Sequence, residues 1–177
     1  MGDVILKSIT LSSLEERYLE LSSSLVRTPT VKLTSPFLID LIKASQIYLK
    51  LECFQYSGTF KARGALSVAK QIPEKDKKFG ITAASAGNHA IAAAWAAKVE
   101  NLSAKVVMQT SANPFRISLA KTYGAEIIMK EGGVATFAEA DKLVREEKRT
   151  FIHPFDGVDT TLGAAGVGLE LIKDCTE

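Results

Sequence analysis

Strand-like and helix-like segments alternate along this sequence between residues 61 and 153. The predicted strands are 80–83, 104–108, 126–129 and 150–153, and the predicted helices are 61–71, 88–99, 114–123 and 134–147. Strands separated by helices of this length need crossover connections, and such connections join parallel strands. A parallel sheet is buried by helices on both of its faces. The alternation therefore predicts an α/β fold with open parallel sheets and helices on both faces.

The segment before residue 61 is predicted to add two helices and a strand. Apolar residues recur at helical spacing over 11–25, which predicts an amphipathic helix. Ser35 and Pro36 suit the N-cap and first position of a second helix, predicted at 36–43. Residues 46–52 alternate and are rich in β-branched and aromatic side chains, so they predict a strand.

Composition and charge narrow the classes of function. Of the 177 residues, 46% are hydrophobic and 24% are charged, which is typical of a soluble globular protein. The formal net charge of +2 gives no electrostatic reason to expect nucleic acid or a membrane surface as a partner. Cys53 and Cys175 lack metal-ligand spacing, so we expect neither a disulfide framework nor a metal site. A reducing, cytoplasmic location fits this cysteine usage best.

Lys61 lies where the predicted strand at 46–52 gives way to the predicted helix at 61–71. It follows Phe60 directly, in a turn that contains Gly58. α/β folds bind ligands at strand-to-helix connections, and a lysine amine placed there can hold an aldehyde cofactor as a Schiff base. The alternative interpretation is a solvated lysine at a helix start, which is the commoner role when no other motif accompanies it.

A second motif occupies the turn after the predicted strand at 80–83. Its polar and small residues are Ser85, Gly87, Asn88 and His89, at the start of the helix predicted from residue 88. A helix N-terminus presents N–H groups without intrahelical partners and the positive end of a dipole, so it can hold a carboxylate or a phosphate. The alternative is structural: Ser85 or Asn88 caps the helix, and His89 is a packing residue.

A third motif, His-Pro-Phe-Asp-Gly, spans residues 153–157. We interpret His153 as a structural residue rather than a catalytic one. Further along, Gly163 and Gly166 are spaced for close helix packing or for a backbone approach at a helix start.

Together, the three motifs resemble those of the fold-type II pyridoxal-phosphate enzymes, which share a tryptophan synthase β-like architecture. Within this family the resemblance is to the branch of threonine and serine dehydratases and serine racemases. It also covers 27–29, 48–52 and 123–126, so it extends over nearly the whole chain from about residue 20. The resemblance implies pyridoxal 5'-phosphate as the cofactor and a small amino acid as the substrate.

The resemblance gives a role to each residue of the first two motifs. Lys61 would form the Schiff base with the cofactor, Phe60 would pack against its pyridine ring, and Asn88 would hydrogen-bond its 3'-oxygen. The substrate carboxylate would be bound by Ser85, Gly87, Asn88 and His89. A lysine near a cationic cofactor can keep a neutral amine for nucleophilic attack and then serve as a base.

The implied reaction is β-elimination. Lys61 would remove the α-proton of L-threonine or L-serine, the β-hydroxyl would leave, and a 2-oxo acid and ammonia would result. Racemases of this family carry a second serine at the position of Ala86, because racemisation needs an acid and a base on opposite faces of the cofactor. Alanine neither donates nor accepts a proton, so Ala86 favours an ammonia-lyase over a serine racemase-type isomerase. Family members are commonly oligomers, so a homo-oligomer is expected.

By the same resemblance, 1–79 and 149–177 form the N-terminal part of the larger, cofactor-binding domain, and 80–148 form a small βα domain. In the family, the groups that hold the cofactor phosphate and pyridine nitrogen lie beyond the position matching residue 177, so we expect the larger domain to be incomplete. Residues 162–166 also depart from the family's usual glutamine-containing pattern. The alternative function is a truncated, non-catalytic relic or a fragment that binds a partner chain.

Overall fold

The described part of the chain, residues 9–43 and 46–175 of this computed structural model, alternates between helices and strands after residue 60. The strands are β1 (Thr30–Leu33), β2 (Ile47–Lys50), β3 (Ile81–Ala84), β4 (Ala104–Gln109), β5 (Glu126–Lys130) and β6 (Thr150–Phe151). The helices are α1 (Leu11–Ser22), α2 (Pro36–Leu41), α3 (Lys61–Lys70), α4 (Glu74–Lys77), α5 (Asn88–Val99), α6 (Pro114–Thr122), α7 (Gly132–Glu147), α8 (Val158–Ala164) and α9 (Gly166–Cys175). Two short 3-10 turns, Glu52–Phe54 and Tyr56–Gly58, precede α3.

The last four strands form one parallel sheet in the order β5-β4-β3-β6. In its register Ile81 pairs with Ala104 on one side and with Thr150 on the other. All four residues of β3 are buried, as expected for a central strand of a sheet covered on both faces. The predicted α/β fold with a parallel sheet is therefore confirmed.

α5 is buried on almost every side because most of its residues are apolar, and half of them are alanine. Every residue from His89 to Ala97 is buried, and helices that are apolar all round belong to protein interiors. Its bounds match the predicted 88–99. Because α5 follows β3 directly, its N-terminus lies at the carboxyl edge of the sheet, where α/β folds place ligand sites.

α8 packs closely against α3 because glycines stand at their contact. A Cβ on Gly163 would lie 2.4 Å from the Cβ of Ser67 and 2.5 Å from the carbonyl oxygen of Arg63. A Cβ on Gly64 would lie 3.0 Å from the carbonyl oxygen of Thr160. The close packing expected around Gly163 is confirmed, and it brings the start of α8 beside the start of α3.

β1 and β2 form a separate antiparallel ribbon, in which Thr30 pairs with Lys50 and Leu33 with Ile47. β1 has no counterpart among the predicted elements, because four residues that include a lysine carry little strand signal. The predicted strand at 46–52 is shortened to β2, and the chain turns into 3-10 geometry at Glu52.

The two predicted N-terminal helices both end earlier than expected. α1 stops at Ser22 rather than residue 25, in a run of serines whose side chains compete for backbone hydrogen bonds. α2 stops at Leu41 rather than residue 43, and Lys43 has a left-handed φ of 50° that no helix accommodates.

A buried ion network connects β2, α3 and α9. The Arg63 side chain is 1% exposed and that of Glu170 is 2% exposed, and Arg63 Nη1 donates to Glu170 Oε1 at 2.8 Å. Arg63 Nη2 also donates to Glu52 Oε1 at 2.8 Å, and Lys50 Nζ lies 2.8 Å from Glu170 Oε2. Burial opposes ionisation of Glu170, but hydrogen bonds from Arg63 and Lys50 outweigh it and lower the pKa of its carboxyl group.

The division into a larger and a smaller domain remains a prediction. β6 pairs with β3, although the division assigns them to 149–177 and 80–148 respectively. Residues 1–8 and 176–177, which the division places in the larger domain, lie outside the described residues. Within the described ranges, no helix has both the length and the apolar character needed to cross a membrane.

Candidate active site

Lys61 is the first residue of α3, and it lines a cavity between α3 and α8. The backbone approaches it through a tight turn in which Ser57 and Gly58 have positive φ angles of 60° and 68°. Glycine adopts this conformation without strain, so Gly58 suits the turn before Phe60. Lys61 Nζ donates a hydrogen bond to the carbonyl oxygen of Pro154 at 2.5 Å.

The cavity has a volume of about 490 Å³, within the size range of small-molecule sites. Most of its lining is apolar. The lining residues come from the start of α3 (Phe60, Lys61, Gly64, Ala65), from α5 (His89), from the segment after β6 (Pro154, Phe155) and from α8 and the residue after it (Thr160, Thr161, Ala164, Ala165). An amine therefore stands in a largely apolar enclosure.

Two aromatic rings flank the Lys61 amine. Lys61 Nζ lies 5.0 Å from the ring centroid of Phe60 and 5.9 Å from that of Phe155, both within the range of cation–π contacts. Among residues 9–43 and 46–175, no carboxylate forms an ion pair with this amine. Because only a backbone carbonyl and two rings hold it, the amine is available to an incoming aldehyde.

The turn after β3 has the geometry that the sequence predicts. Gly87 is the N-cap of α5 and Asn88 is its first residue. The Ser85 hydroxyl accepts a hydrogen bond from the Gly87 N–H at 3.1 Å, so Ser85 stabilises the turn. The N–H groups of a first helical turn lack intrahelical partners, and the helix dipole adds positive charge there. The turn can therefore hold an anion, and substrate binding by its residues remains a prediction.

Asn88 is not among the residues that line the Lys61 cavity. Its side chain is exposed and lines a second cavity, of about 560 Å³, which Arg116 also lines. The structure thus brings Phe60, Lys61 and His89 around one cavity and places Asn88 on another. The hydrogen bond expected between Asn88 and the cofactor 3'-oxygen remains a prediction.

His89 joins α5 to the segment after β6. Its side chain is buried, and Nε2 lies 2.8 Å from the carbonyl oxygen of Ile152. A carbonyl only accepts hydrogen bonds, so Nε2 carries the proton. Burial lowers the pKa of the His89 imidazole to about 4, so the ring is neutral near pH 7. The ring has a packing role, and contact between His89 and the substrate carboxylate remains a prediction.

Lowering the pH from 7 to 5 is expected to destabilise the protein through His89. The unfolded chain takes up a proton at this histidine near its ordinary pKa of 6.5, whereas the folded pKa of about 4 keeps the ring neutral. The unfolded state then binds more protons, so stability falls as the pH falls, by about 2 kcal/mol over this range. Urea unfolding at pH 7, 6 and 5 measures the loss.

His89→Gln is the control for this pH effect. The glutamine amide can also donate to the Ile152 carbonyl but does not titrate. The variant should therefore lose less stability between pH 7 and pH 5 than the unmodified chain. An equal loss in both proteins would assign the pH dependence to other groups.

Among the residues that line the cavity but were not predicted as site residues are Pro154, Phe155, Thr160 and Thr161. The His-Pro-Phe-Asp-Gly motif was the signal that could have identified the first two. Parallel strands end at the same edge of a sheet, so the residues after β6 lie beside those after β3. Thr160 and Thr161 enter the site only because α8 packs against α3, which is a long-range contact.

The Lys61 cavity fits two parts of pyridoxal phosphate. The amine of Lys61 can bond to the cofactor aldehyde, and the flat faces of Phe60 and Phe155 can pack against its ring. Among the described residues that line the cavity, none carries a guanidinium group for the phosphate. The residues present therefore fit the aldehyde and the ring of this cofactor.

Comparison with known proteins identifies one family. The family described as pyridoxal-phosphate dependent enzyme matches residues 21–177. A phenylserine dehydratase from Ralstonia pickettii is 42% identical over 132 residues, which cover 75% of this chain and 40% of the relative. A catabolic L-threonine dehydratase from Staphylococcus aureus is 34% identical over 167 residues, which cover 94% of this chain and 48% of the relative.

A solved structure agrees with the sequence relatives. Maize serine racemase matches with a TM-score of 0.87 and 29% sequence identity, over 96% of this chain and 51% of the racemase. The chain spans about half the length of the curated relatives it matches. The family match covers most of the chain. The chain therefore belongs to the pyridoxal-phosphate dependent enzyme family and is similar to its fold-type II dehydratases and serine racemases.

Proposed function

We propose that this polypeptide provides the lysine-bearing part of an ammonia-lyase that converts L-threonine or L-serine to a 2-oxo acid and ammonia. The observation that supports this proposal is the Lys61 amine in a cavity with aromatic walls, beside a helix N-terminus that suits a carboxylate. Two relatives whose names describe dehydratases support the same reaction type.

The proposed reaction gives a part to Lys61, to Phe60 and to the start of α5. Bound pyridoxal phosphate supplies the electron sink that makes the α-proton of an amino acid removable. Lys61 Nζ would hold the cofactor aldehyde and would take the α-proton of the substrate as a base. Phe60 would pack against the cofactor ring, and the N–H groups at the start of α5 would bind the substrate carboxylate. The α-proton and β-hydroxyl leave as water, and one water returns on release of ammonia and the 2-oxo acid.

Ala86 supports elimination over racemisation. It is half-buried and directly follows Ser85 in the turn before α5. Racemisation needs a proton donor on the face opposite the base, and a methyl group cannot serve. We therefore favour an ammonia-lyase over a serine racemase-type isomerase, although maize serine racemase shares the fold.

The second candidate is a fragment that binds a partner chain. α2 has no buried residue, and its Phe37 and Leu41 side chains are 71% and 63% exposed. The chain also spans about half the length of its curated relatives. A second polypeptide or a homo-oligomer that covers this face could complete the site. We also propose two domains, in which 1–79 and 149–177 belong to the larger one and 80–148 form the smaller one.

We further propose a cytoplasmic location. Cys53 and Cys175 are both exposed and unpaired. Exposed free thiols persist in reducing compartments, whereas oxidising compartments favour disulfides.

The proposed function is tested by product formation. The purified 177-residue chain is incubated with pyridoxal phosphate and either L-threonine or L-serine, and 2-oxobutanoate or pyruvate is measured. We expect a product that depends on the added cofactor, and no D-serine from L-serine. Racemisation by Ala86→Ser would support the argument that the lack of a proton donor at this position favours elimination. Absence of any 2-oxo acid, with cofactor bound, would reject catalysis by this chain and favour the fragment.

A further inference from the structure

Three polar residues join α1, α3 and α8 at one point: Arg17, Ser67 and Asp159, here called the three-helix junction. Arg17 Nη1 donates to Asp159 Oδ1 at 2.9 Å and to Ser67 Oγ at 2.5 Å. Ser67 Oγ in turn donates to the backbone carbonyl oxygen of Asp159 at 2.6 Å. Asp159 is the second residue of α8. The start of α8 is therefore held through a side chain by α1 and through its backbone by α3.

The guanidinium of Arg17 is fixed in this position by its surroundings. The Arg17 side chain is 11% exposed, and its Nε lies 3.1 Å from Glu20 Oε2, one turn further along α1. A guanidinium group is planar, so binding at Nε limits the directions in which Nη1 can donate. Ser67, which accepts from Nη1, is fully buried. Arg17 therefore presents a preset donor to the start of α8.

Glycines stand at both of the close approaches between α3 and α8. Gly163 of α8 faces Ser67, and Gly64 of α3 faces Thr160. Glycines let two helices approach closely, but they contribute no side chain that could interlock with the other helix. The bonds of the three-helix junction therefore have a large share in fixing the register of α8 along α3.

This register determines the shape of the Lys61 cavity. Thr160 and Thr161, which directly follow Asp159, line the cavity from the side of α8. On α3, Gly64 lines it one turn before Ser67. A shift of α8 along α3 would therefore move one wall of the cavity relative to the Lys61 amine. Arg17 is not one of the described residues that line the cavity, so it can influence the cavity only through α8.

Resting on the proposed function, we propose that Arg17 is a positioning residue, which fixes α8 in the register in which the Lys61 cavity accepts pyridoxal phosphate. A site works well only when its walls are held within about 0.5 Å of the productive geometry. The ion pair with Asp159 adds little to stability, because the Asp159 side chain is 41% exposed and water screens it. Arg17 therefore affects cofactor binding more strongly than it affects folding.

The test measures the dissociation constant of pyridoxal phosphate for the 177-residue chain, as the fraction of Lys61 labelled after borohydride reduction. Arg17→Ala should raise this constant at least about tenfold. It should also reduce the visible circular dichroism per bound cofactor, which reports how the cofactor is held. Arg17→Lys should recover most of the affinity, because Nη1 alone makes both contacts and an ammonium group can take its place. Urea unfolding should give similar midpoints for all three proteins.

A double-mutant cycle tests whether Arg17 acts through Asp159. If it does, Arg17→Ala, Asp159→Ala and the double variant should all weaken cofactor binding by about the same factor. Lys70→Ala is the matched control, because it removes another partly buried ion pair of α3, with Glu100 at 3.3 Å, that does not involve α8. The control should leave the dissociation constant unchanged. If Arg17→Ala does not fold, Asp159→Ala carries the comparison, since its side chain is partly exposed.

Several outcomes would overturn the inference. They are an unchanged dissociation constant in Arg17→Ala or Asp159→Ala, an equal loss of affinity in Lys70→Ala, additive losses in the double variant, and absence of labelled Lys61 in the unmodified chain. Failure of the proposed function shows separately, as absence of a 2-oxo acid from a chain whose Lys61 does bind the cofactor, and it leaves the binding measurement intact.

Discussion

Replacing Lys61 with alanine is expected to abolish covalent attachment of pyridoxal phosphate to this chain. With the unmodified chain, the cofactor should give a visible absorbance band, and borohydride should fix it on one lysine. Peptide mass spectrometry should locate that lysine as Lys61, because its amine lies between two aromatic rings and is not bound in an ion pair with the described residues. In Lys61→Ala both the band and the labelled peptide should disappear.

Two further variants make this result specific. Lys61→Arg keeps the positive charge but offers no primary amine, so it should also remain unlabelled. Lys142→Ala removes an exposed lysine of α7, whose side chain is 51% exposed, and should leave the labelling unchanged. Labelling spread evenly over several lysines of the unmodified chain would contradict a dedicated site.

Replacing Arg63 with methionine is expected to lower the free energy of unfolding by about 3 to 5 kcal/mol. Arg63 is 1% exposed and bonds to both Glu52 and Glu170, so its loss leaves a carboxylate buried with fewer partners. Lys50 would still contact Glu170, at 2.8 Å, but could not fill the space of the guanidinium. Urea unfolding followed by circular dichroism measures the change.

Arg27→Ala is the control for Arg63→Met. Arg27 also binds a carboxylate, that of Asp174, but its side chain is 55% exposed. Exposed ion pairs contribute little because water screens them. The control should therefore unfold at nearly the same urea concentration as the unmodified chain. Similar midpoints for Arg63→Met and the unmodified chain would show that the buried network is dispensable.

The parallel part of the fold could be predicted because its signals are local. The bounds of α5 follow from the turn that ends at Gly87 and from the apolar run at 90–97. Likewise, Gly124 follows Tyr123, the C-cap of α6, and has a φ of 90°, which suits a glycine after a helix. Periodicity and caps therefore sufficed for these elements, with errors of one or two residues at their ends.

The ribbon and the ion network could not be predicted in the same way, because their signals are long-range. β1 is a strand because it pairs with β2, and its own four residues do not predict this pairing. Lys50 and Glu170 are each unremarkable charged residues in the sequence, and only the fold places them 2.8 Å apart. Ion pairs between residues that are far apart in the sequence produce no periodic pattern, so the sequence does not predict them.

The candidate site could be predicted only in part, because the sequence shows its local motifs but not how they pack together. Lys61, Phe60 and the turn at 85–89 lie in local motifs with recognisable chemistry. Whether two motifs face one cavity depends on how the elements pack, and Asn88 lines a different cavity from Lys61. Phe155 reaches the cavity because β6 joins the sheet beside β3.

The attachment of the ribbon to α9 has a consequence for the order of folding. Thr30 and Lys50, at one end of the ribbon, bind Asp174 across 144 and 124 residues of sequence. An isolated two-stranded ribbon is only marginally stable in water. Contacts this distant in sequence form slowly, because a long loop must close first. The ribbon is synthesised before α9, and we therefore expect it to become ordered only after α9 has left the ribosome and docked against it.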